Sequence, residues 1–401
     1  MNLQSIPSHV PPELVHELDW ATPGQDESDP YARLEPLSHG PRILFDPYDR
    51  MVNGAWLLTR SEDIRYVFQH PEIFTTDSIS GQSQLLGQSW PLIPLELPPV
   101  EHGKFRSMLN GAFAPKVILS METGLRERAA SLIDRFADKG ECEFVEEFGR
   151  PFPVSIFMQL MGLPDEDMDM LNGWEDDLLH SREIEGRVRG ARGFYDYLTD
   201  LMRKRRAKPA DDLATFVVRS EVDGKLLNDD QVIGIYFLMV LAGLDTVASS
   251  LGLNFRYLAT RPDQQAMLRA KPDIIASAVE ELLRRFGIVG TYRRVSQDTE
   301  IAGVQMKEGD HVHLRTYLAG LDPEDFPNPM EVDFQRSPNR HIAFAYGPHR
   351  CIGSHLARRE LSIALEEWLK RVPEFRIKEG HVVPIRPGGV VSVSELPLVW
   401  T

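Results

Sequence analysis

The sequence predicts a mainly α fold with a small β part. Two observations carry that expectation: apolar residues recur at helical spacing through most of the chain beyond about residue 100, and the β-like runs are few and short. No internal repeat or low-complexity linker interrupts the 401 residues. Length alone would allow two or three domains at roughly 100–200 residues each, or one large α-rich domain.

The opening is proline-rich: residues 1–32 hold five prolines, six acids and no Lys or Arg. Residues 1–40 therefore read as an extended N-terminal arm, lacking the basic start and apolar run of a signal peptide. β-like pieces follow at 42–45 and 55–59. Leu125, Ala129, Leu132, Ile133 and Phe136 form one helical stripe, and Leu356, Ala357, Leu361, Ala364, Leu365, Trp368 and Leu369 form another. Asn228-Asp229-Asp230 is N-cap chemistry, opening a helix expected to run about thirty residues before Pro262 stops it. Within it, 232–244 are thirteen residues without a charge, against the ~18–20 that span a bilayer, so this stretch reads as a buried core helix. A further helix is expected from about 272 to 286. Two hairpins are expected: 301–304 with 312–314 around a turn at 307–310, and 390–393 with 396–400. The basic cluster from Arg203 to Lys208 sits at a helix end, where cations are favourable.

Lys+Arg number 44 and Asp+Glu 60, a net charge of −16, so the chain as a whole repels nucleic acid and anionic membranes. Its two cysteines, Cys142 and Cys351, exclude a disulfide framework and a four-cysteine zinc site, and they point to a reducing compartment. One thiol with a chemical role is still allowed.

Three places could carry chemistry. The first is Phe344-Ala-Tyr-Gly347-Pro-His349-Arg350-Cys351-Ile352-Gly353, just before the stripe that starts near Ser354. A thiolate is the metal-binding form of cysteine, and a helix N-terminus supplies positive potential to stabilise it. Gly347 and Gly353 let the backbone turn sharply and approach a flat ligand, with Phe344 as an apolar body beneath it. Taken alone, the same residues read equally as an inert cysteine beside a glycine loop. The second is Ala242-Gly243-Leu244-Asp245-Thr246 inside the long helix. An acid and a hydroxyl there are costly to bury, the small residues leave room for a flat ligand, and Thr246 can bond the Ala242 carbonyl and widen the helix. This reads as a proton path, or as an acid at a surface turn. The third, Glu281 and Arg284, lies i,i+3 on one helical face and by itself is an ordinary salt bridge. His311-Val-His313 lacks a third ligand at zinc-like spacing, residues 347–353 lack the Lys of a phosphate loop, and Cys142 reads as structural.

In this order and at this spacing, Asp245-Thr246, Glu281-x-x-Arg284 and the Phe344 to Gly353 loop resemble the cytochrome P-450 superfamily of haem-thiolate monooxygenases, over essentially the whole chain. Leu244-Asp-Thr-Val, Glu280-Glu-Leu-Leu-Arg-Arg-Phe286, Gly320-Leu-Asp322 and His355-Leu-Ala-Arg-Arg-Glu360 are similar to the soluble bacterial camphor-hydroxylase group. The resemblance implies one haem-enclosing domain over 1–401 and haem b as cofactor, with Cys351 as the axial iron ligand whose electron donation favours O–O cleavage. Thr246 would hold dioxygen or its water, and Asp245 would relay protons to it. Glu281, Arg284 and Arg336 would form a buried structural network behind the haem. His102, Arg106, Arg293 and His349 would meet the haem propionates, beside Thr291, which stands where the camphor enzyme has an acid. Ala242, Gly243, Phe344 and Gly353 would border the cofactor, Ala242 replacing a glycine and narrowing the groove. Trp90 takes the place of a tyrosine that holds the substrate ketone in the camphor enzyme, and its indole N–H is still a donor. With Leu238, Leu241, Val289 and Val390 it would form an apolar pocket for a compact terpenoid.

The implied reaction is hydroxylation of an unactivated C–H bond of a small hydrophobic, monoterpenoid substrate with dioxygen and two electrons. The chain leaves no residues for a fused redox domain, so the electrons are expected from a two-iron ferredoxin reduced by an NADH-dependent flavoprotein. The donor would dock on Lys104, Arg106, Arg350 and Arg358. The enzyme is expected to be cytoplasmic and monomeric, with no nucleic-acid or membrane partner. Two other classes compete: a haem-binding gas or redox sensor, which would need no Asp245-Thr246 pair, and a cofactor-free helical binding protein, which would show no haem absorption.

Overall fold

A computed structural model describes residues 6–16, 29, 31–49, 52, 54–77, 79–181 and 183–401. They gather into two compact units. One is made of Met1–Thr75, Arg126–Gly149 and Ser249–Thr401, the other of Thr76–Leu125 and Arg150–Ala248.

The first unit is built on a five-stranded sheet in the order Ile43–Asp46, Ala55–Leu58, His311–Arg315, Gly290–Val295 and Phe74–Thr75. All residues of Ile43–Asp46 and Ala55–Leu58 are buried, so these strands read as continuous apolar runs rather than alternating ones. His311–Arg315 runs parallel to Ala55–Leu58 and antiparallel to Gly290–Val295. The expected hairpin of 301–304 with 312–314 is therefore corrected. Ala302 and Gly303 take positive φ angles of 48° and 82°, which suits a two-residue hairpin turn, and Thr299–Ile301 pairs across it with Val304–Met306. The second hairpin is corrected as well. Pro397–Trp400 lies between Phe375–Ile377 and Glu141–Glu143, while Ser392–Val393 pairs with Ile385–Arg386. Helices Ser61–Gln69, Pro262–Ala270, Ile275–Arg285, Thr316–Gly320 and Ser354–Arg371 also belong to the unit, with most of Glu122–Ile133 and Thr246–Leu258. Its core centres on Trp368, whose ring lies 5.3 Å from Phe144, 5.0 Å from Phe255 and 6.0 Å from Trp400.

The extended-arm reading of 1–40 is corrected where residues are described, and 1–5, 17–28 and 30 lie outside the described residues. Residues 31–40 are turns and a short helix, Glu35–His39. Tyr31 and Leu34 are buried, and the Tyr31 hydroxyl donates to the Gly287 carbonyl at 2.7 Å. Aromatic burial anchors the chain here, where composition alone suggested extension.

The second unit is helical: Pro99–Asn110, Pro115–Ser120, Pro151–Met161, Met168–Glu175, Ile184–Ala207, Leu213–Arg219 and Asp229–Gly243. The basic end of Ile184–Ala207 is engaged, Arg205 pairing with Asp212 at 2.6 Å. Asn228 and Gln231 close a capping box at the start of Asp229–Gly243, which fixes the helix as its sequence suggests. The long helix is interrupted at 244–245 and resumes as Thr246–Leu258. By length and composition Asp229–Leu258 could cross a membrane, yet 61% of its apolar window is buried within the protein, as suits a core helix.

Candidate active site

In the first unit, Cys351 lies on a loop whose shape leaves little choice of residue. Ala345 and Gly347 take φ angles of 59° and 66°, and a Cβ on Gly347 would come within 2.7 Å of the Phe68 carbonyl oxygen. Only glycine meets both demands at 347. The Cys351 amide donates to the Phe344 carbonyl at 2.9 Å and the Arg350 amide to that of Gly347 at 3.1 Å. These bonds set Cys351 just before Gly353, the N-cap of Ser354–Arg371, where backbone amides and helix dipole favour an anion. Its side chain is exposed. Cys142 differs in every respect: it is buried in Glu141–Glu143, and burial first, then Glu147 and Glu143, push its thiol pKa far up.

Beside this loop two acids on one helix face different partners. Glu281 is fully buried and accepts from Arg284 Nε and Nη2, both at 2.8 Å, and from Arg336 Nε at 3.0 and 3.1 Å. The Asp333 amide at 3.0 Å and Asn339 Nδ2 at 3.1 Å complete its shell. Arg284 in turn donates to the carbonyls of Gly320, Pro329 and Glu331. The structure thus brings together the three residues expected as a network. Glu280, its neighbour in the same motif, carried no role of its own in the sequence. It binds Arg358 at 2.6 and 3.0 Å and meets His341 Nε2 at 3.0 Å. Burial alone would raise its pKa, but the His341 and Arg358 bonds outweigh it and hold Glu280 down to about 2. The Arg358 guanidinium also lies 4.4 Å over the Phe344 ring, tying this pair to the cysteine loop. Arg358 is therefore engaged internally, with 27% of its side chain still exposed.

Arg293 and Thr291 share the strand Gly290–Val295, with Arg293 Nη1 donating to the Tyr292 carbonyl at 2.7 Å and reaching Thr291 Oγ1 at 3.4 Å. Arg293 is buried, and burial lowers its pKa to about 10. Among the described residues no carboxylate pairs with it. A buried guanidinium so placed is matched to an anionic group. His349 ends the short helical turn Gly347–His349. Val289 and Val390 face each other as an antiparallel bridge, both half-buried. His313, from the unused His-Val-His pair, meets Asp49 through Nδ1 at 2.8 Å.

In the second unit, Thr246 Oγ1 donates to the Ala242 carbonyl at 2.8 Å where the long helix is interrupted. The defect has the cause that the sequence suggested. Ala242 is exposed. A Cβ on Gly243 would strike the Phe157 ring at 2.4 Å, so its missing side chain makes room for core packing. Leu238 and Leu241 are half-buried on the same helix. Trp90 is buried against Phe237 at 5.0 Å and stacked with Tyr195 at 6.2 Å. Its indole N–H donates to Gln88 Oε1, so that donor is taken within the protein. His102 is buried and Arg106 half-buried on Pro99–Asn110, with Arg106 Nε donating to Asn110 at 3.0 Å. Lys104, expected on the docking face, pairs with Asp223 at 2.5 Å. Arg350, in the first unit, is exposed.

Comparison with known proteins agrees with these features. The family pattern described as "Cytochrome P450" matches residues 166–398, a span that includes Asp245, Glu281 and Cys351. "Probable cytochrome P450 127A1" of Sinorhizobium fredii is 41% identical, over 98% of this chain and 97% of that protein. "Steroid C26-monooxygenase" of Mycobacterium tuberculosis (strain H37Rv) is 32% identical, over 88% of this chain and 91% of that protein. Among solved structures, CYP101J2 superposes with a TM-score of 0.89 and CYP101C1 with 0.88, each 32% identical and covering 99% of this chain and all of that one. Motif order, fold and near-full-length identity together make this chain a member of the cytochrome P450 family, the haem-thiolate monooxygenases.

Proposed function

We propose that this monooxygenase, acting as one catalytic domain over 1–401, hydroxylates an unactivated C–H bond of a small hydrophobic, monoterpenoid-sized substrate. Its electrons come from a two-iron ferredoxin reduced by an NADH-dependent flavoprotein, and it works as a cytoplasmic monomer. The observation that carries the substrate reading is Trp90. With its N–H taken by Gln88 and its ring set against Phe237 and Tyr195, it offers apolar surface and no donor, like Leu238 and Leu241 nearby in sequence to Phe237. Such residues hold a ligand by shape. Similarity to CYP101J2 and CYP101C1 supports the same group.

Haem b, when bound, supplies the iron at which dioxygen is reduced. The residues fit it: Cys351 offers an exposed thiol at a helix N-terminus, and Arg293 a buried cation suited to a propionate. Cys351 Sγ would hold the iron, while Arg293 and His349 would hold the propionates. Thr246 directs its hydroxyl proton to Ala242, leaving the oxygen lone pairs to accept a hydrogen bond. Asp245 takes up and gives a proton at its carboxylate. The electron donor docks in the first unit through Arg350, exposed, and Arg358, 27% exposed beside Glu280.

The test is a panel of monoterpenes and steroids added to the ferric enzyme, read as the low-spin to high-spin shift. Monoterpenes are expected to shift it and steroids not; steroids alone doing so would overturn the substrate class.

A further inference from the structure

Residues 79–98 of the second unit hold one short helical turn, Gln84–Leu86, and no strand. Backbone groups in such a segment must find partners outside a ladder, and long irregular segments of compact domains are commonly functional. Here one acid supplies the partners. Glu96 is 7% exposed. Its Oε1 accepts from the Ser80 amide at 2.9 Å and the Ser80 hydroxyl at 2.6 Å, and its Oε2 accepts from the Leu92 amide at 2.8 Å. Among the described residues these are its donors, and no cation pairs with it. Hydrogen bonds to a charged acceptor are the strong ones, so the carboxylate ties together Ser80 and Leu92, which flank Trp90. The tied stretch is also seated on the helix Asp229–Gly243. The Ile93 amide donates to the Gly234 carbonyl at 3.3 Å, and a Cβ on Gly234 would come within 2.2 Å of the Pro91 carbonyl oxygen. Glycine at 234 therefore lets the backbone of 91–93 lie directly against the helix. One turn on, Phe237 meets the Trp90 ring at 5.0 Å.

We propose that Glu96 is a positioning residue for substrate: it clasps the 80–92 stretch closed and so holds Trp90 ready as an apolar wall. It acts through Trp90, and the inference rests on the reading of Trp90 as a substrate residue given above. A ligand that needs the closed stretch binds with an affinity scaled by the fraction of molecules in which the stretch is closed. Loosening the clasp therefore weakens ligands that use the wall and spares those that do not.

The test compares two ligands of the ferric holoenzyme, imidazole and 4-phenylimidazole, each titrated by its Soret shift. Both bind iron through nitrogen and only the second adds an apolar ring, so the ratio of their affinities isolates what the protein does for that ring. Glu96→Gln keeps the volume but leaves one acceptor oxygen in place of two, so either the Ser80 donors or the Leu92 amide lose theirs. Its preference for 4-phenylimidazole should fall roughly tenfold with imidazole unchanged. Ser80→Ala, which removes only the hydroxyl bond, should lose less. In Glu96→Gln amide hydrogen exchange should quicken across 80–92 and not along Pro99–Asn110; exchange as slow as in wild type would show that Glu96 is no clasp. Trp90→Ala is the reference. A preference that falls in Trp90→Ala but not in Glu96→Gln overturns the role of Glu96 and leaves the Trp90 reading standing. A preference unchanged in Trp90→Ala removes that reading and this inference with it. Equal weakening of both ligands in Glu96→Gln would place the effect at the haem rather than the wall and also overturn the inference.

Discussion

Glu281 and Glu175 are buried to nearly the same degree, at 0% and 3% exposure, yet their company is opposite. Glu281 takes six hydrogen bonds from Arg284, Arg336, Asn339 and the Asp333 amide. Glu175 has one long contact with an arginine already held by Asp176, and an orphaned oxygen. Residue type and burial are shared, so the donors make the difference. A carboxylate surrounded by fixed donors locks the elements that supply them, and one with few can hold or release a proton. The first region ties the 333–339 loop to the Ile275–Arg285 helix; the second stands where the Met168–Glu175 helix gives way to a π-helical turn.

The largest effect is expected from breaking the locked region. Arg284→Ala strips two bonds from a buried acid and uncovers three carbonyls. It should destabilise by about 3–5 kcal/mol, the range for breaking a buried pair, and urea denaturation with haem content should report it. A midpoint equal to that of wild type would erase the distinction between the two regions. Next comes Thr246→Ala, which removes one hydrogen bond worth about 1 kcal/mol and should leave the fold intact. Product per NADH should nevertheless drop roughly tenfold or more as oxygen is diverted to peroxide; unchanged coupling would dismiss Thr246 from the relay.

The two regions should also respond to pH with opposite sign. Glu280, depressed from 4.5 to about 2, contributes stability that is present above pH 4.5 and lost as pH falls towards 2. Glu280→Gln should flatten that acid limb in a denaturation series from pH 5 downward, and a limb of the same slope would show that its partners do not hold it. Glu175, raised to about 8, contributes stability that is full below pH 4.5 and lost as pH rises through 8. The smallest effect is expected at Trp90. Because its N–H serves Gln88, Trp90→Phe should weaken substrate binding by less than about tenfold, measured from the spin-shift titration; a far larger loss would mean that the indole donates to substrate.

The helices were legible because periodicity and caps are local: the Asn228-Asp229-Asp230 cap, and the stripe ending in Trp368 and Leu369, needed no partner to be recognised. Strand pairing was less so. Pro397–Trp400 finds its neighbours at Phe375–Ile377 and Glu141–Glu143, and Gly290–Val295 hid behind Arg293 and Arg294. Charge partners were hidden for the same reason, since those of Lys104 and Arg358, Asp223 and Glu280, come from distant segments. Glu281 gained meaning only from its place among motifs. Glu175 did leave a signal: it lies at i+4 from Leu171 and i−3 from Leu178, both buried, so an acid occupies an apolar stripe.

Haem-thiolate chemistry in this chain depends most on Cys351, which would be the ligand of the iron. The most direct measurement is the spectrum of the reduced, carbon monoxide-bound protein for wild type, Cys351→Ala and Cys142→Ala. The red-shifted Soret band of a thiolate-bound haem should appear in wild type and Cys142→Ala and vanish in Cys351→Ala. An imidazole-type band in wild type, or a thiolate band surviving in Cys351→Ala, would contradict it.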